Sequence, residues 1–553
     1  MGKVILIHAN CVNPEARGDY TFAGNIAKDL VKEITKSQEN IDVILVSSLD
    51  GISQFVSLYG PVVNNRVNIE NTSIGLSSLE KFDAIENTVV AFIDANRCKY
   101  AAADIVKRVL DPESKLLVVG NVNKQAYDTV FAQLGYRHYL RNKQPGLYEL
   151  FSESDLFLAS AGLSNERLGL PAINKAKDLP ELSSEQQSML PSGNYGFMYV
   201  NAALEWTAYE LIAQYIKLSN QDEYILVGDF NNSKPEIELF YKLDDSLPAI
   251  KKSFPPIQFY QSLPNHLMRK MVAGATATLV ASTGVTSTLE AMQDNKLPFY
   301  QDIDTNENFV TAYLIAVKSI FSNDTSLFGG MPQLLIELSN LLFAEKPLSN
   351  QEIERTQELL SMSSVSSRLV ETNQKIIEQA NGKIAPKLLS FIHQGRSTQQ
   401  QVQLATVCTS LRKPGETGSP VHEQALRRAA AWGRLFELKV LIKAIPNDLD
   451  KKDVTLERTA LHWAVACQNL DCARVLVKAG VSLDLQDKEG KTPLHKAVAN
   501  GDKPMIEMLI LAGARSNILD KASKKPKDCA PDKDTLLFMQ QCRELRQPIS
   551  AYS

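Results

Sequence analysis

The sequence predicts an α/β protein of two parallel-sheet domains facing a cleft, followed by a helical spacer and an α-solenoid. Three observations carry this. Apolar runs of strand length alternate with amphipathic helical stretches from Lys3 to Phe321, the pattern of strands joined by crossover helices. The alternation breaks at a Ser-, Pro- and Gly-rich stretch, ELSSEQQSMLPSGNYG from Glu181 to Gly196, and then restarts. A 33-residue period closes the chain, with the segment from Thr459 answered by the segment from Thr492.

Taken in order, the buried strand KVILIHA runs into the polar loop NCVNPEARGDYTFAG and the helix NIAKDLVKEITK, the first βα unit. Strands follow at IDVILVSS, NTVVAFIDA and SKLLVVGNV, with helical stretches AAADIVKRVLD and AYDTVFAQLGY between and after them. These form a Rossmann-like domain over 1–185. A second one, 196–330, contains the strand GFMYVN, the helix ALEWTAYELIAQYIK, the strand EYILVGDF, the segment IQFYQSLP, the helix NHLMRKMVAGA, the strand TLVAS and the helix FVTAYLIAVKSIF. Residues 331–407 hold three helical patterns, LLIELSNLLF, NQEIERTQELLSM and KIAPKLLSFIHQ, read as a spacer. LRKPGETGSP makes 408–420 a flexible linker, and 421–545 is the solenoid.

A chain of 553 residues with 44% hydrophobic and 22% charged residues exceeds one core and is too apolar for disorder to dominate. A net charge of −4 supplies no general attraction for nucleic acid or anionic membranes. The seven cysteines are scattered without CxxC pairs, as in reduced intracellular proteins. With no signal-like N-terminus and no apolar run of about 18 residues, a cytoplasmic protein without a transmembrane segment is expected.

The segment TLVASTGVTSTLEAMQDNKLPFY reads as strand, Gly284 turn, helix and strand. Helix amides lacking intrahelical partners would point outward there, and with the dipole they make an anion seat. Ser282, Thr283, Thr286, Ser287 and Thr288 add hydroxyl donors, while Glu290 lies one turn in, where a carboxylate can accept from sugar hydroxyls. The plain alternative is one αβ unit with Ser and Thr as caps and Glu290 on a solvated face.

From Ser282 onward, STGVTSTLEAMQDNKLPFYQDIDTNENF resembles the donor site of GT-B glycosyltransferases. The resemblance implies a nucleotide-diphosphate sugar as donor substrate and no resident cofactor or metal. It places Thr286, Ser287 and Thr288 against the diphosphate, Glu290 on the donor, and Asp304 and Asn308 in an acidic-polar loop holding the sugar. Members of the family often have a second glycine before the helix, a glycine where Asn295 stands and a glutamine where Thr305 stands. Arg269 is expected to neutralise diphosphate charge, and Tyr260, with Phe259, to stack on the base. In the first domain, GDYTFAGNIAKDL resembles the loop and first helix of bacterial GT-B enzymes, which makes Asp19 the expected general base, with helix capping as its alternative role. His8, on the apolar strand, reads as a satisfied core histidine.

The repeats resemble ankyrin repeats in period and motif: Thr492 to His495 form the opening turn, Ala497 permits close helix approach and Gly513 ends the second helix. HEQALRRAAAWGRLFELKVLIKA reads as a preceding repeat and KKPKDCAPDKDTLLFMQQC as a degenerate last one. Such a module implies a protein partner. The combination is similar to ankyrin-containing effectors of intracellular bacteria, delivered into host cells without an N-terminal signal peptide. The expected function is therefore transfer of a sugar from a nucleotide donor to an acceptor, with the repeats recruiting a protein. The alternatives are a non-catalytic ankyrin adaptor with a degenerate GT-B-like region, or a nucleotide-sugar epimerase.

Overall fold

A computed structural model describes residues 2–10, 18–95, 103–120, 156–163, 167–200, 205–228, 254–300, 307–323, 330–394, 400–413 and 422–546. Its first region is a seven-stranded sheet built from β1 (Gly2–His8), β2 (Ile41–Ser47), β3 (Arg66–Ile69), β4 (Thr72–Ser78), β5 (Asn87–Asp94), β6 (Lys115–Gly120) and β7 (Leu156–Ser160). The spatial order is β3-β4-β2-β1-β5-β6-β7. Only β3 runs antiparallel, as a hairpin on β4. The parallel strands therefore follow the doubly wound pattern, and the order reverses between β1 and β5.

Helix α1 (Gly18–Lys36) covers one face because Tyr20, Ala23, Ala27, Leu30 and Ile34 recur at helical spacing and are all buried. It begins well before the expected Asn25, since Tyr20 and Phe22 belong to that same buried stripe. Helices α2 (Leu49–Tyr59) and α3 (Ala103–Val109) complete this unit. Gly24 lets α2 approach, because a Cβ there would meet the Tyr59 hydroxyl at 2.1 Å.

After a short helix α4 (Ser184–Ser188), opened by a Ser183–Gln186 capping box, comes a five-stranded, fully parallel sheet. It comprises β8 (Tyr195–Tyr199), β9 (Glu223–Val227), β10 (Ile257–Tyr260), β11 (Leu279–Ser282) and β12 (Leu297–Tyr300), in the order β10-β9-β8-β11-β12. Its order reverses between β8 and β11. The intervening helices are α5 (Glu205–Ser219), α6 (Asn265–Gly274) and α7 (Val285–Gln293), and α8 (Glu307–Asn323) follows β12.

The helices expected as a spacer are integral to this body. They are α9 (Met331–Leu342), α10 (Asn350–Ser361), α11 (Ser363–Ala380) and α12 (Ile384–His393). The longest, α11, is not among the three expected helices, although Val365, Leu369, Thr372 and Ile376 give it a buried stripe. Gln374 of α11 donates to the Met292 carbonyl of α7, and Tyr313 of α8 donates to Asn373 at 2.9 Å. α12 returns to the first sheet, where His393 meets Glu39 at 2.8 Å and Lys115 donates to the Phe391 carbonyl at 2.8 Å. One apolar core consequently runs through both sheets.

Helix α13 (Gln400–Ser410) enters the stretch expected as linker, and three helix pairs come after it: α14 (His422–Ala431) with α15 (Leu435–Ala444), α16 (Ala460–Ala466) with α17 (Leu470–Lys478), and α18 (Pro493–Ala499) with α19 (Lys503–Ala512). A 3-10 turn at Pro526–Cys529 and α20 (Lys533–Arg546) close the described chain. Each pair opens on the same device where its motif is intact. Thr459 caps α16 and Thr492 caps α18, with His462 and His495 returning the bond. Gly513 ends α19 at φ 114°, in the left-handed region.

The flexible linker expected over 408–420 does not set the repeats apart, because their core is continuous with that of the first unit. Val4, Leu6, Phe92, Val106 and Val118 of the first unit share one core with Leu438, Leu441 and the repeat interior. The seam is stitched by Lys107–Glu437 at 2.7 Å, Lys439–Asp111 at 3.1 Å and Lys478–Glu86 at 2.7 Å. On the repeat side these pairs use Glu437 and Lys439 of α15 and Lys478 of α17, so the second helices form the docked side.

Candidate functional site

Ligands of doubly wound sheets bind beyond the carboxyl ends of the strands where the order reverses. In the second sheet that point is the end of β8 and β11, where Ser282 pairs in register with Tyr199 and the chain turns through Thr283 and Gly284 into α7. Gly284 is the N-cap, with φ −83°, and no side chain caps the helix. The first amides of α7 accordingly have no intrahelical acceptor. Thr286 is exposed and Ser287 half-buried at this end.

The hydroxyls behave differently from the expectation. Thr288 is fully buried and donates to the Gly284 carbonyl at 2.8 Å, and its oxygen lies 2.7 Å from Ser282 Oγ. Thr283 donates to the Tyr199 carbonyl at 3.1 Å, and Ser287 to the Gly284 carbonyl at 2.8 Å. Small hydroxyl side chains following a tight turn satisfy its carbonyls, and that competes with facing a ligand. Ser282, Thr283 and Thr288 are therefore parts of the turn, and the amides left without an intrahelical acceptor are those of Val285, Thr286 and Ser287.

Glu290 and Arg269 lie deeper, beside a narrow pocket lined also by Phe197, Tyr199, Ser282 and Ser287 and little wider than a water molecule. Glu290 is no solvated helix face: it is 12% exposed and 3.8 Å from the Arg269 guanidinium. Burial raises its carboxyl pKa, an effect that Arg269 and a bond from Asn265 oppose. Arg269 donates to Asp294 at 2.9 Å and to the Asn174 carbonyl at 2.6 Å. It thus neutralises two carboxylates inside the fold, contacts that compete with the expected role against a diphosphate. Tyr260 packs against the second sheet's apolar cluster and donates to Gln258 at 3.2 Å, whereas Phe259 is the exposed aromatic of β10. Asp304 lies outside the described residues, as does the side chain of Asn308 in the first turn of α8.

The first sheet reverses between β1 and β5, whose last residues are the register partners His8 and Asp94. Their side chains meet, with His8 Nδ1 3.1 Å from Asp94 Oδ1 and both residues buried. Nε2 of His8 is buried without a hydrogen-bond partner among the described residues. A core histidine ordinarily satisfies both nitrogens, so the reading of His8 as a satisfied core residue is half correct. With Asp94 accepting, Nδ1 carries a proton, and in the neutral ring Nε2 then presents a lone pair. One signal in the sequence could have found it: a polar residue ending each of the two strands, HA after KVILI and DA after VVAFI. Asp19, half-buried in the first turn of α1, sits where the helix dipole favours a carboxylate.

At the other end of the molecule the repeat geometry defines a class directly. Each intact Thr–His turn bridges to the next repeat: His462 donates through Nε2 to the Lys491 carbonyl at 3.1 Å, and His495 to the Lys524 carbonyl at 3.1 Å. These are ankyrin repeats, modules of protein–protein interaction, and a family model of ankyrin repeats matches residues 426–520 in three copies. Over 80 residues the chain is 38% identical to the ankyrin repeat and SOCS box protein 2 of Rattus norvegicus and to that of Mus musculus. That stretch is 14% of this chain and spans 12% of the length of either relative.

Proposed function

We propose that the protein transfers a sugar from a nucleotide-diphosphate donor to an acceptor, with its ankyrin repeats holding a protein partner. The observation carrying this reading is the pairing of two doubly wound sheets, one ending in an uncapped helix N-terminus and the other in a buried His–Asp pair. The amides opening α7 would hold the diphosphate, with the helix dipole stabilising the leaving group's charge. His8 Nε2, oriented by Asp94, would take the acceptor proton, with Asp19 the competing candidate for the same step. Asp304 and Asn308 remain the residues proposed for the sugar. The resemblance of the segment from Ser282 to GT-B donor sites supports the donor assignment, and the separate resemblance of the whole combination to ankyrin-containing bacterial effectors suggests delivery into a host cell as the setting.

A second reading is a non-catalytic adaptor. The inward hydroxyls of Ser282, Thr283 and Thr288 and the narrow pocket favour it. Thermal-shift titration with uridine, guanosine and adenosine diphosphates, followed by donor hydrolysis assays, separates the two. Binding and hydrolysis support transfer; stabilisation by none of the three supports the adaptor. On the transfer reading, His8→Ala lowers turnover by roughly a hundredfold while nucleotide binding persists, the usual contribution of a positioned base.

A further inference from the structure

The docked side of the solenoid leaves its loop edge open. Segments 450–458, 487–491 and 520–528 stack on one another, since Lys488 donates through its amide to the Leu456 carbonyl and Lys521, one period later, to the Glu489 carbonyl. Together they contain nine Lys and Arg and seven Asp and Glu. The five aspartates do not face outward as free charges: Asp450, Asp453, Asp487, Asp520 and Asp528 all accept from backbone amides. Glu457 and Glu489 are the remaining acids. Lys521, Lys524, Lys525 and Lys527 are exposed, and none has an ion-pair partner among the described residues. On a chain of net charge −4, this edge is locally cationic.

The cations also have a pitch. Arg458, Lys491 and Lys524 occupy one repeat position at a spacing of 33, so they stand on consecutive repeats, where Arg458 also lies 3.5 Å from Asp487 and Lys491 2.8 Å from Glu489 while Lys524 has no ion-pair partner among the described residues. Packed helices lie about 8–10 Å apart, which sets the rung spacing. A polyproline II chain returns a side chain to the same face every third residue, after roughly 9 Å. Val454, 99% exposed, and Leu519, 50% exposed, lie on the same loops. They gain from contact with proline rings or apolar side chains and nothing from phosphate groups.

We propose that this basic edge binds an extended acidic polypeptide segment carrying a carboxylate at about every third residue. The proposal rests on the reading that the repeats bind a protein and names the chemistry of what they bind. Fluorescence anisotropy on the full chain tests it with three labelled peptides: Asp-Pro-Pro repeats, Asn-Pro-Pro repeats, and a peptide of the first composition with its aspartates clustered. The periodic acidic peptide should bind best and weaken with salt. The variant Lys521→Glu, Lys524→Glu, Lys525→Glu should weaken it by roughly tenfold or more at an unchanged melting temperature, through loss and reversal of screened surface charges. Equal binding of periodic and clustered peptides overturns the spacing. Tighter binding of single-stranded RNA or phosphatidylserine vesicles than of any peptide overturns the choice of ligand. A protein binder selected on the full chain and insensitive to the charge reversal overturns this inference while leaving the repeats as a protein-binding module; failure to select any binder overturns both.

Discussion

His462 shows how one buried side chain sets a pH limit. Burial holds its imidazole down to about 4, below the ordinary 6.5, although the Lys491 carbonyl opposes the shift. The folded repeat keeps it neutral, and the unfolded chain takes a proton below about 6.5. Its contribution is therefore complete above that value and is lost as pH falls toward 4, up to about 3 kcal/mol. Denaturant titrations of the full chain between neutral and mildly acidic pH should show this loss, and His462→Asn should flatten it. His8 differs in kind, because its Nε2 is buried without a hydrogen-bond partner among the described residues.

At the scale of an element, α7 offers a test in which stability and binding change in opposite directions. Ser287→Asp places a negative charge in the first turn, which stabilises the helix by about 0.3–1 kcal/mol through the dipole. The same charge repels a diphosphate from the amides, so nucleotide affinity should fall at least about tenfold while the melting temperature holds or rises. Binding unaffected by the change would remove the helix end from the donor site. In the first unit, Gly24→Ala should destabilise by about 1–3 kcal/mol, since the added methyl cannot coexist with the Tyr59 hydroxyl and the α1–α2 contact must open. A chemical denaturation midpoint reads this directly.

The whole molecule behaves as more than a row of domains. α12 ties the second body back to the first sheet, and the repeats share an apolar core with β1, β5 and β6. Removing residues from about 418 onward should therefore expose Phe92, Val106 and Val118 and remove the ion pairs of Lys107, Asp111 and Glu86 with the repeats, lowering the stability of the first unit instead of leaving it unaffected. Limited proteolysis and melting of the truncated chain beside the intact one decide this, and an unchanged melting temperature for the first unit would contradict it.

Local sequence carries the strands β1, β2, β5 and β6 and those of the second sheet, the restart of the αβ alternation, and the ankyrin period with its Thr–His turns. Those depend on side-chain periodicity and capping chemistry that act within a few residues or recur at a fixed interval. Tertiary structure decided the rest. The hairpin β3–β4 and helix α11 carry weaker local signals and are fixed by what they pack against. Arg269 met Asp294 and Glu290 only when α6 and α7 were laid side by side on one sheet, and His8 met Asp94, 86 residues away, only when β1 and β5 became neighbours. The linker hid the docking of the repeats for the same reason: a flexible composition describes the chain between two bodies, and the apolar faces that bring those bodies together lie elsewhere in the sequence.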